Sequence, residues 1–239
     1  MAAPPTAVAD RTALPKYLQL REVILREIAA GRLRVGDRLP PERALAQDLG
    51  VAVGTLRKAL DRLHEDGVIA RLQGSGNYIK DAGKDIGVYS FFRLERMDGG
   101  GLPRARVLSV DRLDKPDALP NFGLDPQGHR IRRLRLLDDV VVAAEEIWLD
   151  GARAARLSQG DLSESLYLYY RERLGLWIAA VEDRIGVDVV PDWGAAIGLG
   201  VGATCGFVER HSTTPEGDCP EISYTWFNPA RARYVARSR

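Results

Sequence analysis

The sequence predicts an α+β protein in which a helical N-terminal part precedes a part built mainly from strands. Up to residue 67, apolar side chains recur at helical spacings of three and four. Beyond residue 104 they alternate or run together in short segments rich in β-branched residues. The length of 239 residues suits two domains. We therefore expect helices first and an antiparallel sheet second.

The composition is that of a globular protein without export or membrane signals. Hydrophobic residues make up 45% and charged residues 28% of the chain. There is no run of about 18 apolar residues, and the N-terminus lacks a basic stretch followed by an apolar block. Two cysteines and three scattered histidines argue against a disulfide framework and a metal site. We expect a cytoplasmic protein with no metal and no cofactor.

The charge is unevenly distributed although the net charge is only +1. Residues 10–80 carry 13 Lys/Arg against 9 Asp/Glu, whereas residues 81–239 carry 21 against 24. The basic excess therefore lies in the helical part. This is where a surface that binds nucleic acid phosphates would be expected.

The first predicted helix covers residues 15–31 because its apolar residues share one face. These are Tyr17, Leu20, Ile24 and Ile28. A second, short helix opens with two prolines, which fit a first helical turn. We expect this helix to bury Leu45 and Leu49 and to end at Gly50.

A third helix and a hairpin follow. The helix has a clean apolar stripe at positions i, i+3, i+4 and i+7. That stripe is Leu56, Ala59, Leu60 and Leu63. Two short strands, 68–72 and 77–80, flank a glycine-rich turn and predict a β-hairpin. Two short helices joined by a tight glycine turn, with a hairpin after them, form the pattern of a winged helix-turn-helix.

The stretch from Gly31 to Ile79 resembles the DNA-binding domain of the GntR family of regulators. It contains, in order, G-x-L-x-x-G-x-x-L-P-x-E, L-A-x-x-x-G-V, T-L-R-x-A-L and the G-x-G of the hairpin turn. The chain departs from the family at Ala52-Val53, where many members have Ser-Arg. The third helix is therefore expected to lack a side-chain cap worth about 1 kcal/mol, and one arginine contact to DNA is absent.

The resemblance implies a set of residues that contact double-stranded DNA. A recognition helix brings the start of its polar face to base edges in the major groove, where arginine can bind guanine in a bidentate manner. Phosphate contacts and a wing tip would complete the surface. The implied residues are Arg38, Arg43, Thr55, Arg57, Lys58, Gly74, Ser75 and Gly76. For each arginine and for Lys58, the alternative is a solvated surface charge.

Residues 88–239 are predicted to form the strand-rich domain, after a tail over 1–13, a DNA-binding domain over 14–80 and a polar linker over 81–87. Six segments have strand patterns, with a turn at Asp138-Asp139. They are 104–111, 129–137, 140–149, 177–188, 205–212 and 221–227. Two helices are expected near 163–174 and 192–199, the second ending at Gly200.

The second domain resembles the UTRA effector-binding domain of the HutC subgroup, whose fold is similar to chorismate lyase. The matching pieces are Arg133-Leu134-Arg135, Glu145 before Ile147-Trp148-Leu149, Ser165-Leu166-Tyr167, and Glu221. The chain departs from the subgroup at 227–230, where Phe-Asn-Pro-Ala replaces a charged turn.

The residues themselves suggest an anion site. Arg133 and Arg135 lie two apart on a strand and therefore share a face, and Ser165 lies in the first turn of the predicted helix. Two carboxylates, Glu145 and Glu221, are suited to an amine or hydroxyls on the same ligand. With Tyr167, which the resemblance adds, these six are the candidate effector-binding residues. The alternatives are a solvated arginine pair, a core Tyr167 and a serine that only caps the helix.

These features predict a DNA-binding transcription regulator, acting as a homodimeric repressor and controlled by a small anionic metabolite such as a sugar phosphate or carboxylate. The alternative is an enzyme of chorismate-lyase-like fold that carries a DNA-binding domain. The sequence has no nucleophile elbow, P-loop or His–carboxylate constellation. We therefore expect no enzymatic activity and assign no catalytic residue.

Overall fold

The computed structural model describes residues 14–80, 89 and 91–237. The predicted N-terminal tail (1–13) and linker (81–87) lie outside the described residues. Within the described parts, no helix is long and apolar enough to cross a lipid bilayer.

The N-terminal part consists of three helices and a two-stranded hairpin. The helices are α1 (Lys16–Ala29), α2 (Glu42–Asp48) and α3 (Val53–Glu65), and the strands are β1 (Ile69–Leu72) and β2 (Gly76–Ile79). The predicted stripe of α3 is buried, as are Leu20 and Ile24 of α1. The prediction for α2 was wrong in one respect. Its buried residue is Ala46, while Leu45 and Leu49 pack partly buried against the core.

The start of α3 lacks a side-chain cap, as the sequence predicts. Ala52 occupies the N-cap position in an extended conformation and offers no side-chain acceptor. Its carbonyl oxygen accepts the backbone N–H groups of Thr55 and Leu56. Helix α3 therefore depends on its buried apolar face rather than on a cap.

The C-terminal part is built on a six-stranded antiparallel sheet of order β4-β5-β6-β9-β8-β7. Its strands are β4 (Pro103–Asp114), β5 (Gln127–Leu137), β6 (Val140–Asp150), β7 (Ala180–Val189), β8 (Thr204–Thr213) and β9 (Glu221–Phe227). A separate pair joins β3 (Leu94–Arg96) to β10 (Ala232–Tyr234). All six predicted strands are present. Asp138 and Asp139 both adopt positive φ (48° and 67°), which a tight β5–β6 turn of type I′ requires.

Both predicted helices of the second domain are shorter than expected. The first is a single turn, α4 (Leu166–Tyr169), followed by a π-helical turn (Tyr170–Leu174), and Ser165 caps it from outside. Serine side chains compete for nearby backbone groups. The helix therefore begins after Ser165 and not at residue 163. The second is only a 3-10 turn (Ala195–Ile197) that ends at Gly198 with φ 83° rather than at Gly200. Glycines at 194, 198 and 200 disfavour a longer helix.

Candidate functional site

The polar side of α3 is accessible. Arg57 and Lys58 are exposed and Thr55 is half-buried. The Arg57 Nε atom donates to Glu42 Oε2 at 2.6 Å, which joins the starts of α2 and α3 and raises the pKa of the guanidinium. The ion pair is largely solvated, so it costs little to exchange for another acceptor. Arg57 is thus held near the start of α3, where a recognition helix meets base edges.

The remaining predicted DNA contacts lie beside α2 and on the hairpin turn. Arg43 is exposed on α2. A Cβ atom built on Gly76 would come within 3.3 Å of Arg38 Nε, so this guanidinium lies against the turn. Gly74 has φ 73°, a conformation that favours glycine. Ser75 Oγ hydrogen bonds to the Tyr78 hydroxyl at 2.7 Å. The hairpin therefore presents a glycine tip with a guanidinium beside it.

A cavity that is partly open to solvent lies in the second domain, on one face of the large sheet. All six predicted effector-binding residues line it. Its lining consists of Tyr89, Phe91, Phe92, Arg133, Arg135, Glu145, Ile147, Ser165, Leu166, Tyr167, Arg210, Glu221 and Ser223. Residues remote in the sequence thus meet at one site that combines charged, polar and aromatic side chains.

Arg133 and Glu145 form a buried ion pair within the cavity. They are opposite one another on β5 and β6, and Arg133 Nε donates to Glu145 Oε2. Burial disfavours the charge on Glu145, but Arg133 and Arg135 hold its pKa below its ordinary value. Likewise, Glu145 keeps the pKa of Arg133 raised in spite of its burial. Arg133 is therefore already neutralised by the protein.

Arg135 has a different environment. Its guanidinium lies 4.4 Å from the ring centroid of Phe92 and 5.7 Å from that of Tyr89. Burial, followed by the charge of Arg133, lowers the pKa of Arg135 to about 10, so it remains a cation near neutrality. In the described part of the chain, Arg135 Nε has no hydrogen-bond partner. Arg135 thus brings a cation with spare donor capacity to the cavity.

The helix start does not face the arginines in the way that the sequence suggests. Ser165 Oγ accepts the backbone N–H of Leu168 at 3.4 Å, which makes this serine a cap. The two arginines donate instead to the carbonyl oxygen of Glu164, at 3.4 Å from Arg133 and 3.3 Å from Arg135. The backbone just before α4 therefore holds the two guanidiniums.

On another side of the cavity, Glu221 is held by two hydroxyl groups. Its Oε1 atom accepts hydrogen bonds from Ser212 Oγ (2.8 Å) and from the Tyr167 hydroxyl (3.1 Å). Burial raises the pKa of Glu221 above its ordinary value. This side of the cavity is suited to a neutral polar group such as a sugar hydroxyl.

Sequence reasoning missed Arg210 and the aromatic residues Tyr89, Phe91 and Phe92. Arg210 makes a bidentate ion pair with Asp183, at 2.6 and 2.7 Å. The alternation of β8 contained a signal for it, since Arg210 lies two residues before Ser212 and therefore on the same face. The aromatic residues follow the predicted linker, and no local pattern marks them.

Phe92 also connects the cavity to the N-terminal part. Arg26 of α1 donates to the carbonyl oxygens of Phe92 (3.3 Å) and Leu94 (2.8 Å), and its guanidinium lies 5.4 Å from the Phe92 ring centroid. Nearby, Glu22 Oε2 accepts the backbone N–H of Tyr89 at 3.3 Å. One aromatic ring therefore contacts both Arg26 of the first domain and Arg135 of the cavity.

A winged helix-turn-helix joined to a domain with a cavity lined by charged and polar side chains is the architecture of a ligand-responsive DNA-binding regulator. Residues 16–79 match the model of the gntR family of bacterial regulatory proteins, and residues 98–233 match the UTRA domain. The chain belongs to the GntR family and has the architecture of its HutC subgroup. It is accordingly a transcriptional regulator with a UTRA effector-binding domain.

Named relatives agree with this assignment. The chain is 52% identical over 227 residues to the HTH-type transcriptional regulator SmoD of Agrobacterium fabrum, covering 95% of this chain and 97% of that one. It is 30% identical over 185 residues to the mannosyl-D-glycerate transport/metabolism system repressor MngR of Escherichia coli, covering 74% of each. The crystal structure of YydK from Bacillus subtilis has the same fold, with a TM-score of 0.54, 21% identity, and coverage of 95% of this chain and 100% of that one.

Proposed function

We propose that this regulator is a homodimeric repressor whose operator binding is controlled by a small, polar, anionic metabolite. The observation that carries the proposal is the cavity in which Arg135 offers a cation beside the Glu221 hydroxyl cluster. The name of MngR, a repressor of a system for a glycosylated glycerate, supports both repression and an effector that combines hydroxyls with an acidic group.

The anionic group of the effector is assigned to Arg135. Of the three arginines that line the cavity, Arg133 is paired with Glu145 and Arg210 with Asp183. In the described part of the chain, no carboxylate oxygen lies within 4.0 Å of the Arg135 guanidinium. An entering carboxylate or phosphate would therefore find its unsatisfied charge at Arg135, where charge-assisted hydrogen bonds are strong.

The hydroxyl-bearing part of the effector is assigned to the part of the cavity near Tyr167, Glu221 and Ser223. These residues present hydroxyl and carboxyl groups that both donate and accept hydrogen bonds. Sugar phosphates and hydroxylated carboxylates combine the two chemistries. In the described part of the chain Glu221 Oε2 has no hydrogen-bond partner, and a purely apolar ligand would leave it unsatisfied, which is costly.

The DNA-binding part of the proposal is tested with the promoter fragment of the protein's own gene. Replacing Arg57 by alanine should weaken binding about 10- to 100-fold, because a bidentate base contact is worth about 1–3 kcal/mol. Fluorescence anisotropy at fixed, low salt measures the change. Arg62→Ala is the matched control, since Arg62 is also exposed and ion-paired on α3 but lies near its C-terminal end. Equal affinities for the two variants, or no binding by the wild type, would contradict the proposal.

We propose that effector binding changes the affinity for DNA through the contacts of Phe92. An anion that draws Arg135 toward itself changes the contact of Arg135 with the ring, and Arg26 of α1 contacts the same ring. Effector and DNA would then be coupled by a free energy typical of allosteric proteins, about 1–3 kcal/mol.

Replacing Phe92 by alanine should therefore uncouple the two sites. DNA affinity without effector should stay close to that of the wild type, while the effector-induced change in affinity, about 5- to 150-fold in the wild type, should fall toward one. Titration of DNA with and without an effector measures both quantities. Phe91→Ala is the control, since Phe91 lines the cavity and contacts the Tyr167 ring. A full response in Phe92→Ala would exclude this route.

A further inference from the structure

A second cavity adjoins the effector cavity on the same face of the large sheet. The side chains that line both cavities are Phe91, Phe92, Glu145, Arg210 and Ser223. Those that line only the second cavity are Arg93, Leu94, Val208, Thr225 and Tyr234. The two cavities therefore share a wall, and the second extends the effector cavity toward strands β8 and β10.

The strand register shows how the two cavities are arranged. One row of paired positions crosses β5, β6, β9 and β8 and consists of Arg133, Glu145, Thr225 and Val208. The first of these residues lines only the effector cavity, the second lines both cavities, and the last two line only the second. Three strand spacings separate the ends of the row, which is therefore about 14 Å long. A single sugar ring with one acidic group would occupy only part of this length.

The charged groups of the second cavity are engaged with one another. Arg210 pairs with Asp183, and Glu145 pairs with Arg133. Burial acts to raise the pKa of Asp183, but Arg210 and, to a smaller extent, Arg93 hold it below its ordinary value. Both arginines that line the second cavity are thus close to a carboxylate. This cavity is therefore better suited to an uncharged polar group than to a second anion.

The rest of the lining combines hydroxyl groups with aromatic rings. Ser223 and Thr225 lie two apart on β9 and therefore share a face, and both hydroxyls can donate and accept hydrogen bonds. The rings of Phe92 and Tyr234 add apolar surface. A sugar unit has apolar C–H faces as well as hydroxyl groups, so this lining matches the chemistry of a sugar.

We propose that the effector is an anionic glycoside, with its acidic group at Arg135 and a second, uncharged sugar unit in the second cavity. The inference rests on the proposed function and specifies the class of its effector. Glu145 and Ser223 line both cavities and would contact the ligand where its two units join. A monosaccharide phosphate or a small carboxylate would leave the second cavity unfilled.

Matched pairs of compounds distinguish a ligand of one unit from a ligand of two. Glucuronate is compared with glucuronosyl-glucose, and glycerol phosphate with glucosylglycerol phosphate, by isothermal titration calorimetry on the full chain. Two further hydrogen bonds should make the longer member of at least one pair bind about 5- to 150-fold more tightly than the shorter. Binding of the shorter members with equal or higher affinity would overturn the inference and leave the anionic effector intact. Absence of binding by all four compounds would overturn the proposed function as well.

Substitutions at Thr225 test where the second unit binds. Thr225→Met should fill the second cavity and lower the affinity for the longer compound to that for its shorter partner. Thr225→Val, which keeps the shape but removes the hydroxyl, should lower it about 2- to 10-fold.

Thr213→Met is the matched control, because Thr213 follows Ser212 on β8 and therefore lies on the opposite face of the sheet. This variant should keep the full affinity for both members of the pair. Unchanged affinity for the longer compound in a Thr225→Met protein whose circular dichroism spectrum matches the wild type would overturn the inference. If Thr225→Met does not fold, unchanged affinity in Thr225→Val has the same meaning.

Discussion

Replacing Arg133 by alanine should lower the free energy of unfolding by about 3–5 kcal/mol, the cost of leaving one partner of a buried ion pair alone. Arg133 is 7% exposed, and its partner Glu145 lies behind it on the adjacent strand. Without Arg133 the Glu145 carboxylate loses its ion-pair partner and keeps only the electrostatic effects of Arg135 and Arg210. Urea unfolding at pH 7, followed by tryptophan fluorescence, measures the loss.

A double-mutant cycle separates the ion pair from packing. Glu145→Ala together with Arg133→Ala should be more stable than the sum of the single changes predicts, because no unpaired charge remains. Arg132→Ala is the matched control on the same strand. Arg132 pairs with Glu146 on the opposite face of the sheet and is more exposed, so we expect a loss of about 1 kcal/mol or less. Additive effects of Arg133→Ala and Glu145→Ala would contradict the interpretation.

The pH dependence provides an independent check. Because the pKa of Glu145 is lowered in the folded protein, its ion pair stabilises the fold above the ordinary carboxyl value of 4.5 and loses this effect as pH falls through the folded pKa. In Arg133→Ala the buried carboxylate is instead unfavourable and gains by protonation. The difference in stability between wild type and variant should therefore narrow below about pH 4.5.

Local patterns were sufficient for the elements whose apolar faces are regular. The stripe of α3, the six strands of the sheet and the turn at Asp138-Asp139 follow from periodicity and turn chemistry alone. Alternation also placed Arg133 and Arg135 on one face. That they donate to the carbonyl oxygen of Glu164 could not be predicted, since this contact depends on how the segment before α4 crosses the sheet.

The features of the site that the sequence did not predict depend on tertiary contacts. Phe92 has no periodic neighbours, and its importance comes from the ring being shared by Arg26 and Arg135. The expected helix over 163–174 was too long, because the Ser163-Glu164-Ser165 segment favours capping over helix continuation. In each case a contact between distant segments, or competition for one backbone group, decided the structure.

The loss of effector response in Arg135→Ala is the other large effect that we expect. A thermal-shift screen with phosphorylated sugars, amino-acid catabolites and small carboxylic acids should identify a ligand. At 100 times its dissociation constant, that ligand should stabilise the protein by about 2.7 kcal/mol. This stabilisation should disappear in Arg135→Ala, because the variant removes the cation whose spare donor is proposed to meet the anion.

Arg135 is better suited to this test than Arg133. The pKa of Arg135 is lowered to about 10, which means that the folded protein disfavours the charge of this arginine. The main ion-pair partner of Glu145 is Arg133, so removing Arg135 does not leave the buried carboxylate unpaired. The variant should therefore stay folded while it loses the ligand. Arg132→Ala, on the opposite sheet face, should keep the full shift. If Arg135→Ala kept it as well, the anion would have to bind elsewhere, and the assignment of the cavity as the effector site would be wrong.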